Sequence, residues 1–283
     1  MTRSHRFCLP GGRWLAWHEW GTPEGRAVIV CPGAGMAGPM PFGEREAERE
    51  SLRLISVDRP GLGGSEPDSG KSFTSFARDV RALLDHLGLD AVAAIGFSQG
   101  APFALALAAE GVVPAVSLVS GQDELAHPDV LTQLPPPVAD FVRRAAGDGP
   151  ALEEEITATA TADWLWQMIE TMSSPQDRAF YASETFAQLY RASLAAGFRQ
   201  GAAGYARDTI LALAPWPFRL EDLDCPVRLW FGREDASPVH SPDLGATLAA
   251  RLPDANLNRI DGAGSAILWT HADAILREIA RGI

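Results

Sequence analysis

The serine in the segment G-F-S-Q-G at 96–100 is the clearest candidate for a reactive side chain. A short apolar run precedes this segment and a helical pattern follows it, which is the setting in which G-x-S-x-G presents a serine as a nucleophile. A turn of this kind strains the backbone at Ser98, so the neighbouring positions must lack bulk, as Gly96 and Gly100 do. The dipole of the following helix would favour a negative charge that develops beside Ser98.

The elements that must hold this serine alternate between strand and helix patterns. Runs rich in Val and Ile indicate buried parallel strands at 27–31, 52–57, 91–95, 114–119 and 227–231. The clearest helix pattern, at 73–87, repeats its apolar residues every three or four positions and stops at Gly88. Ahead of these elements, 6–9 and 13–20 flank a Pro-Gly-Gly turn and predict an antiparallel hairpin. The alternation predicts an α/β protein with helices on both faces of a doubly wound sheet.

The regular alternation stops after Ser120, and about a hundred residues pass before the next strand pattern begins at Val227. A structureless loop of that length is unusual in a compact domain, and the segment is helical and aromatic in pattern. We therefore predict a helical cap over 121–222, inserted into a core formed by 1–120 and 223–283. The cap holds 7 basic and 15 acidic residues and so carries −8 of the net charge of −12. Its aromatic residues predict an apolar space beneath it.

Several segments together resemble those of the α/β-hydrolase superfamily, in its capped branch with a serine nucleophile. Besides the serine turn, 11–23 is similar to the family's opening hairpin, and D-R-P-G-L-G-G-S at 58–65 resembles its diagnostic loop after the fourth strand. The resemblance covers nearly the whole chain outside the cap. It implies a mostly parallel eight-stranded sheet flanked by helices. Ser98 in place of an aspartate argues against epoxide hydrolases and haloalkane dehalogenases.

The resemblance also implies an oxyanion hole and an acid. The segment P-G-A-G at 32–35 stands where the family usually has His-Gly-x, which makes the backbone amides of Ala34 and Gln99 the expected oxyanion donors. Two such preorganised amides stabilise a tetrahedral intermediate. The family's acid corresponds to Asp235, whose carboxylate would fix the tautomer of the catalytic histidine and stabilise the imidazolium. Asp123, after the preceding strand, is the weaker alternative for the acid.

The family's catalytic histidine corresponds to Ser265, at the end of the segment G-A-G-S at 262–265, which follows the final strand pattern at 256–261. A serine hydroxyl cannot accept a proton near neutral pH, so this side chain would not activate Ser98. Loss of the base lowers the turnover of a serine hydrolase by about 2 × 10⁶. Conventional acyl transfer therefore needs a base from elsewhere.

Four explanations are open at this stage. The protein could have left hydrolysis for ligand binding or for a lyase or cyclase step, or Ser265 could be an engineered replacement. Another histidine could serve as the base: His240 is the best candidate because it lies five residues beyond Asp235, on a loop that borders the site. His271, at the start of the last helix, and His127, at the start of the cap, are weaker candidates. Finally, water or the substrate could supply the base.

Composition excludes several classes of partner. The chain has 283 residues, of which 46% are apolar and 21% charged, which excludes disorder. It is acidic and has no basic run, so nucleic acid and membrane surfaces are poor candidates. Phosphate-binding glycine loops are missing from the sequence, which argues against nucleotide enzymes, and we expect no cofactor. Three widely spaced cysteines fit neither a disulfide framework nor a metal site, and no apolar signal segment follows the N-terminus, so we expect a reducing, cytoplasmic location.

The sequence thus predicts an enzyme that hydrolyses a small neutral or apolar ester, lactone or amide. Ser98 is the expected nucleophile and Asp235 the acid, while Ser265 occupies the position of the base. The alternative is a hydrolase-like pseudoenzyme or ligand-binding protein, or a lyase or cyclase that uses the same pocket. The expected partner is a small-molecule substrate, and a homo-oligomer is left open.

Overall fold

A computed structural model describes residues 2–282, and at its centre lies a sheet of eight strands. In chain order the strands are β1 (Arg3–Cys8), β2 (Trp14–Gly21), β3 (Arg26–Cys31), β4 (Leu52–Val57), β5 (Ala93–Phe97), β6 (Val116–Val119), β7 (Val227–Gly232) and β8 (Ala255–Ile260). Their order across the sheet is β1-β2-β4-β3-β5-β6-β7-β8. The pairs β1–β2 and β2–β4 are antiparallel, and all other neighbours are parallel. The predicted α/β architecture, a mostly parallel eight-stranded sheet flanked by helices, is confirmed.

Each predicted strand is present, with small differences at its ends. The strand predicted from 91 begins two residues later, because Ala91 has a φ of +52° and cannot extend the strand. In the hairpin, β1 begins at Arg3, three residues earlier than predicted, and Arg3 pairs with Glu19. This first segment is an exposed edge strand with mostly polar side chains, so it lacks the apolar alternation that marks a buried strand.

Side chains of each strand point alternately to the two faces of the sheet, and each face has its own apolar core. On β3, Val28 and Val30 contribute to one core, whereas Ile29 and Cys31 contribute to the other. The helices outside the segment between β6 and β7 are α1 (Glu44–Arg49), α2 (Phe73–Leu87), α3 (Gly100–Ala109), α11 (Ala246–Arg251), α12 (Ile267–Thr270) and α13 (Ala272–Ala280). Helices α2, α3 and α11 cover the Ile29 face, and α1, α12 and α13 cover the Val28 face. The predicted helix at 73–87 is confirmed and ends at Gly88, whose φ is +63°.

Between β6 and β7 the chain forms seven α-helices and a short 3₁₀ helix, all within the described residues 2–282. They are α4 (Pro128–Leu131), α5 (Pro136–Gly147), α6 (Gly149–Thr159), α7 (Ala162–Met172), α8 (Pro175–Tyr181), α9 (Glu184–Gly197), α10 (Ala203–Leu213) and the 3₁₀ helix Leu220–Asp222. Their apolar side chains join those of Phe97 and Val119 in one core. The division into a core and a cap at 121–222 stays a prediction. Across residues 2–282, none of the helices combines the length and apolar character that a membrane crossing requires.

A buried ionic cluster ties the inserted helices to the sheet. Asp208 on α10 accepts a hydrogen bond from Arg59 Nε at 2.8 Å, and its other oxygen lies 2.5 Å from Lys71 Nζ. All three side chains are almost fully buried. Removal of one member would leave an uncompensated charge, which typically costs about 3–5 kcal/mol. The position of α10 relative to the sheet is therefore strongly specified.

Candidate active site

Ser98 lies on a sharp turn between β5 and α3, with a φ of +50°. A Cβ atom added at Gly100 would lie 2.0 Å from the carbonyl oxygen of Cys31, and one at Gly96 would lie 2.7 Å from Cα of Ala101. Because backbone atoms cannot move aside, both positions require glycine. The two glycines of the G-x-S-x-G pattern thus allow the strained turn to pack directly against the end of β3.

The side chains of Ser98, His240 and Asp235 form a hydrogen-bonded series. Ser98 Oγ lies 2.9 Å from His240 Nε2, and His240 Nδ1 lies 2.8 Å from Asp235 Oδ2. A carboxylate only accepts, so Nδ1 donates to Asp235 and Nε2 is left to accept the hydroxyl proton of Ser98. The other oxygen of Asp235 accepts the backbone N–H of Ser237 at 3.1 Å. This arrangement can activate a serine for nucleophilic attack.

The loop that follows β7 carries both Asp235 and His240, and it is fixed to the loop after β6. Ser241, next to His240, donates its backbone N–H to Gly121 O at 3.2 Å and its hydroxyl to Asp123 Oδ2 at 2.9 Å. Burial raises the pKa of Asp123 to about 6. Asp123, the alternative acid, thus contacts the neighbour of His240 rather than its ring.

The two expected oxyanion donors lie on either side of Ser98. Ala34 follows the end of β3, is half-buried and lines a cavity with Ser98 and His240, while Gln99 precedes the first residue of α3. Within residues 2–282, the backbone N–H groups of Ala34 and Gln99 donate to no protein acceptor. Both amides are therefore free to bind a developing oxyanion.

Arg59, from the loop after β4, holds the segment that precedes Ala34. Its guanidinium donates to the carbonyl oxygens of Pro32 at 2.5 Å and Gly33 at 2.9 Å, while Nε donates to Asp208. The planar fork of an arginine can make all these bonds at once. The resemblance assigned no role to Arg59, whose partners lie in two distant parts of the chain.

Ser265 lies between β8 and α12, where helix α8 engages it. The backbone N–H and the hydroxyl of Ser265 donate to Asp177 Oδ2 at 2.7 and 3.1 Å, and Tyr181 Oη lies 3.1 Å from Ser265 Oγ. A Cβ atom at Gly264 would lie 2.0 Å from Asp177 Oδ2, so this contact requires glycine. Ser265 makes no hydrogen bond with Ser98.

The other histidine candidates make no hydrogen bond with Ser98. His271 precedes α13, and its Nδ1 lies 2.9 Å from the hydroxyl of its neighbour Thr270. His127 precedes α4. Neither ring contacts Ser98, so His240 is the histidine that the structure places beside it. In residues 2–282, no group of three or more His, Cys, Asp and Glu side chains is arranged to hold a metal ion.

Ser98 and His240 open onto a cavity of about 90 Å³. Its walls are mainly apolar, with Leu165, Ile169 and Met172 contributed by α7. Tyr181, Tyr190 and Ser265 also line it. The sequence identified the two tyrosines only as aromatic members of the predicted cap, because aromatic content alone does not indicate which ring faces the cavity. Two larger surface clefts, of about 560 and 610 Å³, include neither Ser98 nor His240.

Comparisons with known proteins agree with this architecture. A family model described as alpha/beta hydrolase fold matches residues 26–272. A 2-hydroxy-6-oxononadienedioate/2-hydroxy-6-oxononatrienedioate hydrolase of Dechloromonas aromatica is 27% identical over 237 residues, which cover 80% of this chain and 74% of that protein. The esterase EaEST from Exiguobacterium antarcticum has a similar structure, with a TM-score of 0.71 and 17% identity over 98% of this chain and 97% of its own. A thermophilic esterase from Thermogutta terrifontis also has a similar structure, with a TM-score of 0.65 and 19% identity over 99% of this chain and 97% of its own.

Proposed function

The chain belongs to the alpha/beta hydrolase family, and we propose on that basis that it is a serine hydrolase of small, neutral or apolar esters, lactones or amides. The observation that carries the proposal is the hydrogen-bonded series from Ser98 through His240 to Asp235. In this series, the imidazole of His240, from the loop after β7, would accept the proton of Ser98, which the hydroxyl of Ser265 cannot do. The base and the acid would then be supplied by one loop.

The proposed reaction follows the usual two steps of a serine hydrolase. His240 Nε2 takes the proton of Ser98 as Oγ bonds to the substrate carbonyl carbon, and the resulting oxyanion is bound by the amides of Ala34 and Gln99. His240 then gives the proton to the leaving group, whose bond to the carbonyl carbon breaks. Water, deprotonated by His240, then bonds to the acyl carbon; the bond to Ser98 Oγ breaks and His240 returns the proton to Oγ. Asp235 stabilises the imidazolium in both steps.

The size of the cavity favours a substrate with a small acyl group. Its volume of about 90 Å³ is well below the ~300–1,000 Å³ of sites for drug-sized ligands. No lysine or arginine of residues 2–282 lines it, and the segment around it is acidic, so an anionic acyl group would gain no counter-charge. This favours a short, uncharged ester, lactone or amide.

Replacement of His240 tests the proposal. We expect His240→Gln to lower kcat/KM for phenyl acetate by about 10⁴–10⁶, and Ser98→Ala to lower it similarly, because each removes one member of a unit. A fluorophosphonate probe should label the wild type on Ser98. His271→Gln is the matched control and should retain the wild-type rate.

The contrary results are distinct. A folded wild-type protein that neither reacts with the probe nor hydrolyses small esters would instead support the pseudoenzyme or ligand-binding alternative. Unchanged turnover in His240→Gln would show that another group is the base.

A further inference from the structure

We propose that the cavity beside Ser98 selects short acyl groups that carry a neutral hydroxyl, which Tyr190 and Tyr181 bind. The inference rests on the proposed function, since it names the substrate class of the same site. Three features support it: the hydroxyl of Tyr190, which has no hydrogen-bond partner in residues 2–282; the hydroxyl of Tyr181, which already donates its proton to Ser265; and the size and charge of the cavity.

Tyr190, on α9, lines the cavity, and only 5% of its surface is exposed. Its ring packs against those of Trp166 and Trp269, with centroids 5.7 and 5.8 Å away. The side chain is buried, but its hydroxyl makes no hydrogen bond within residues 2–282. Burial raises the pKa of Tyr190, so the hydroxyl keeps its proton. A protonated hydroxyl without a protein partner, on a side chain that lines a cavity, can donate to a bound molecule.

Tyr181, on α8, lines the same cavity, and its ring centroid lies 5.6 Å from that of Tyr190. Ser265 donates its hydroxyl proton to the carboxylate of Asp177, which can only accept. The bond between Tyr181 and Ser265 must then use the proton of Tyr181. The oxygen of Tyr181 retains a lone pair and can accept a further hydrogen bond.

A donor and an acceptor side by side match a hydroxyl group, which both accepts and donates, better than they match a ketone, which only accepts. A carboxylate is disfavoured, because Asp177 lies directly behind Ser265 and no cation of residues 2–282 lines the cavity. The cavity of about 90 Å³ is well below the ~300–1,000 Å³ of sites for drug-sized ligands. It therefore favours a short acyl chain.

Isosteric pairs of ethyl esters test the inference. Ethyl 3-hydroxypropionate and ethyl butyrate differ only by OH against CH₃ at the end of the acyl chain, and ethyl glycolate and ethyl propionate differ in the same way. We expect the wild type to prefer the hydroxy member of at least one pair by about tenfold or more in kcat/KM, because the apolar member leaves Tyr190 unpaired. Tyr190→Phe should lose most of this preference, because kcat/KM for the hydroxy ester should fall more than kcat/KM for its apolar partner.

Tyr205→Phe is the matched control, since Tyr205 is also a buried tyrosine but does not line the cavity. This variant should change kcat/KM for both esters of a pair by the same factor. Equal turnover of both members by the wild type would overturn the inference while the hydrolase function stood, and so would a preference that persists in Tyr190→Phe. If no ester is hydrolysed and the probe does not label Ser98, it is the proposed function that fails.

Discussion

Ser265, at the position that the resemblance assigns to a catalytic histidine, is held by two side chains of one helix. Its hydroxyl is bonded to Asp177 and Tyr181. Asp177 is 2% exposed and accepts four hydrogen bonds, three of them from Ser265 and its neighbour Ala266. Helix α8 thus stabilises the loop after β8 through the hydrogen bonds of Asp177.

We therefore expect Ser265→Ala to affect stability more than hydrolysis. Removal of the hydroxyl leaves Asp177 with one hydrogen bond fewer and Tyr181 without an acceptor, which should lower the free energy of unfolding by about 1–3 kcal/mol. Turnover of ethyl butyrate should stay within a few-fold of the wild type. Denaturant unfolding and steady-state kinetics on the same sample measure the two effects.

Ser173→Ala provides the comparison, because Ser173 also lines the cavity but its hydroxyl bonds only to Ile169 O, four residues earlier. It should change the stability less than Ser265→Ala does. A loss of turnover of several orders of magnitude in Ser265→Ala would contradict the structural role and support the catalytic role that the position has in the family.

At the scale of elements, α10 holds both sides of the proposed oxyanion hole. Asp208 binds Arg59, which in turn holds the carbonyls of Pro32 and Gly33, and the next residue, Thr209, accepts a hydrogen bond from the side chain of Gln99 at 3.3 Å. Two consecutive residues of one helix therefore fix the two segments that present the amides. Helix α10 thus contacts both of the segments that carry the proposed oxyanion donors.

The variant Asp208→Asn tests this link. It leaves Arg59 and Lys71 buried without their counter-charge, so we expect a loss of about 3–5 kcal/mol in the free energy of unfolding. In the protein that remains folded, kcat should fall more than KM changes, because the oxyanion forms only in the transition state. Asp163→Asn, which removes an exposed ion pair with Arg191, should change neither quantity measurably. An unchanged kcat in Asp208→Asn would show that α10 does not support the oxyanion hole.

The elements differ in how far the sequence determines them. The strands, α2 and the turn at Ser98 are specified by local patterns, and the structure contains all of them close to their predicted positions. The contact of Asp177 with Ser265 spans 88 residues and has no local signal. His240 was a candidate only because it follows Asp235, and its distance from Ser98 depends on how the loop after β7 folds. Long-range packing, which no short sequence pattern encodes, brings His240 to Ser98.

At the scale of the whole molecule, Asp123 should make stability depend on pH. Burial raises its pKa from 3.8 to about 6, so between these values the folded protein binds a proton that the unfolded chain does not. Stability should therefore rise as the pH falls from about 6 to about 4, by about 3 kcal/mol for this group. Asp123→Asn should lack this contribution.

Urea unfolding of the wild type and of Asp123→Asn between pH 4 and pH 7 measures the contribution of Asp123 to the free energy of unfolding. The difference in unfolding free energy, wild type minus Asp123→Asn, should grow as the pH is lowered. Asp261→Asn, at an exposed carboxylate paired with Arg233, serves as the control and should run parallel to the wild type. A wild-type-minus-Asp123→Asn difference that is constant across this range would show that Asp123 does not titrate there.

Asp235 and His240 lie five residues apart on one stretch of backbone, and the bond between their side chains is therefore a local one. The distance from the imidazole to Ser98 is set separately, by the attachment of Ser241 to Gly121 and Asp123. Weakening that attachment would lengthen the approach of imidazole to serine and leave the carboxylate–imidazole pair intact.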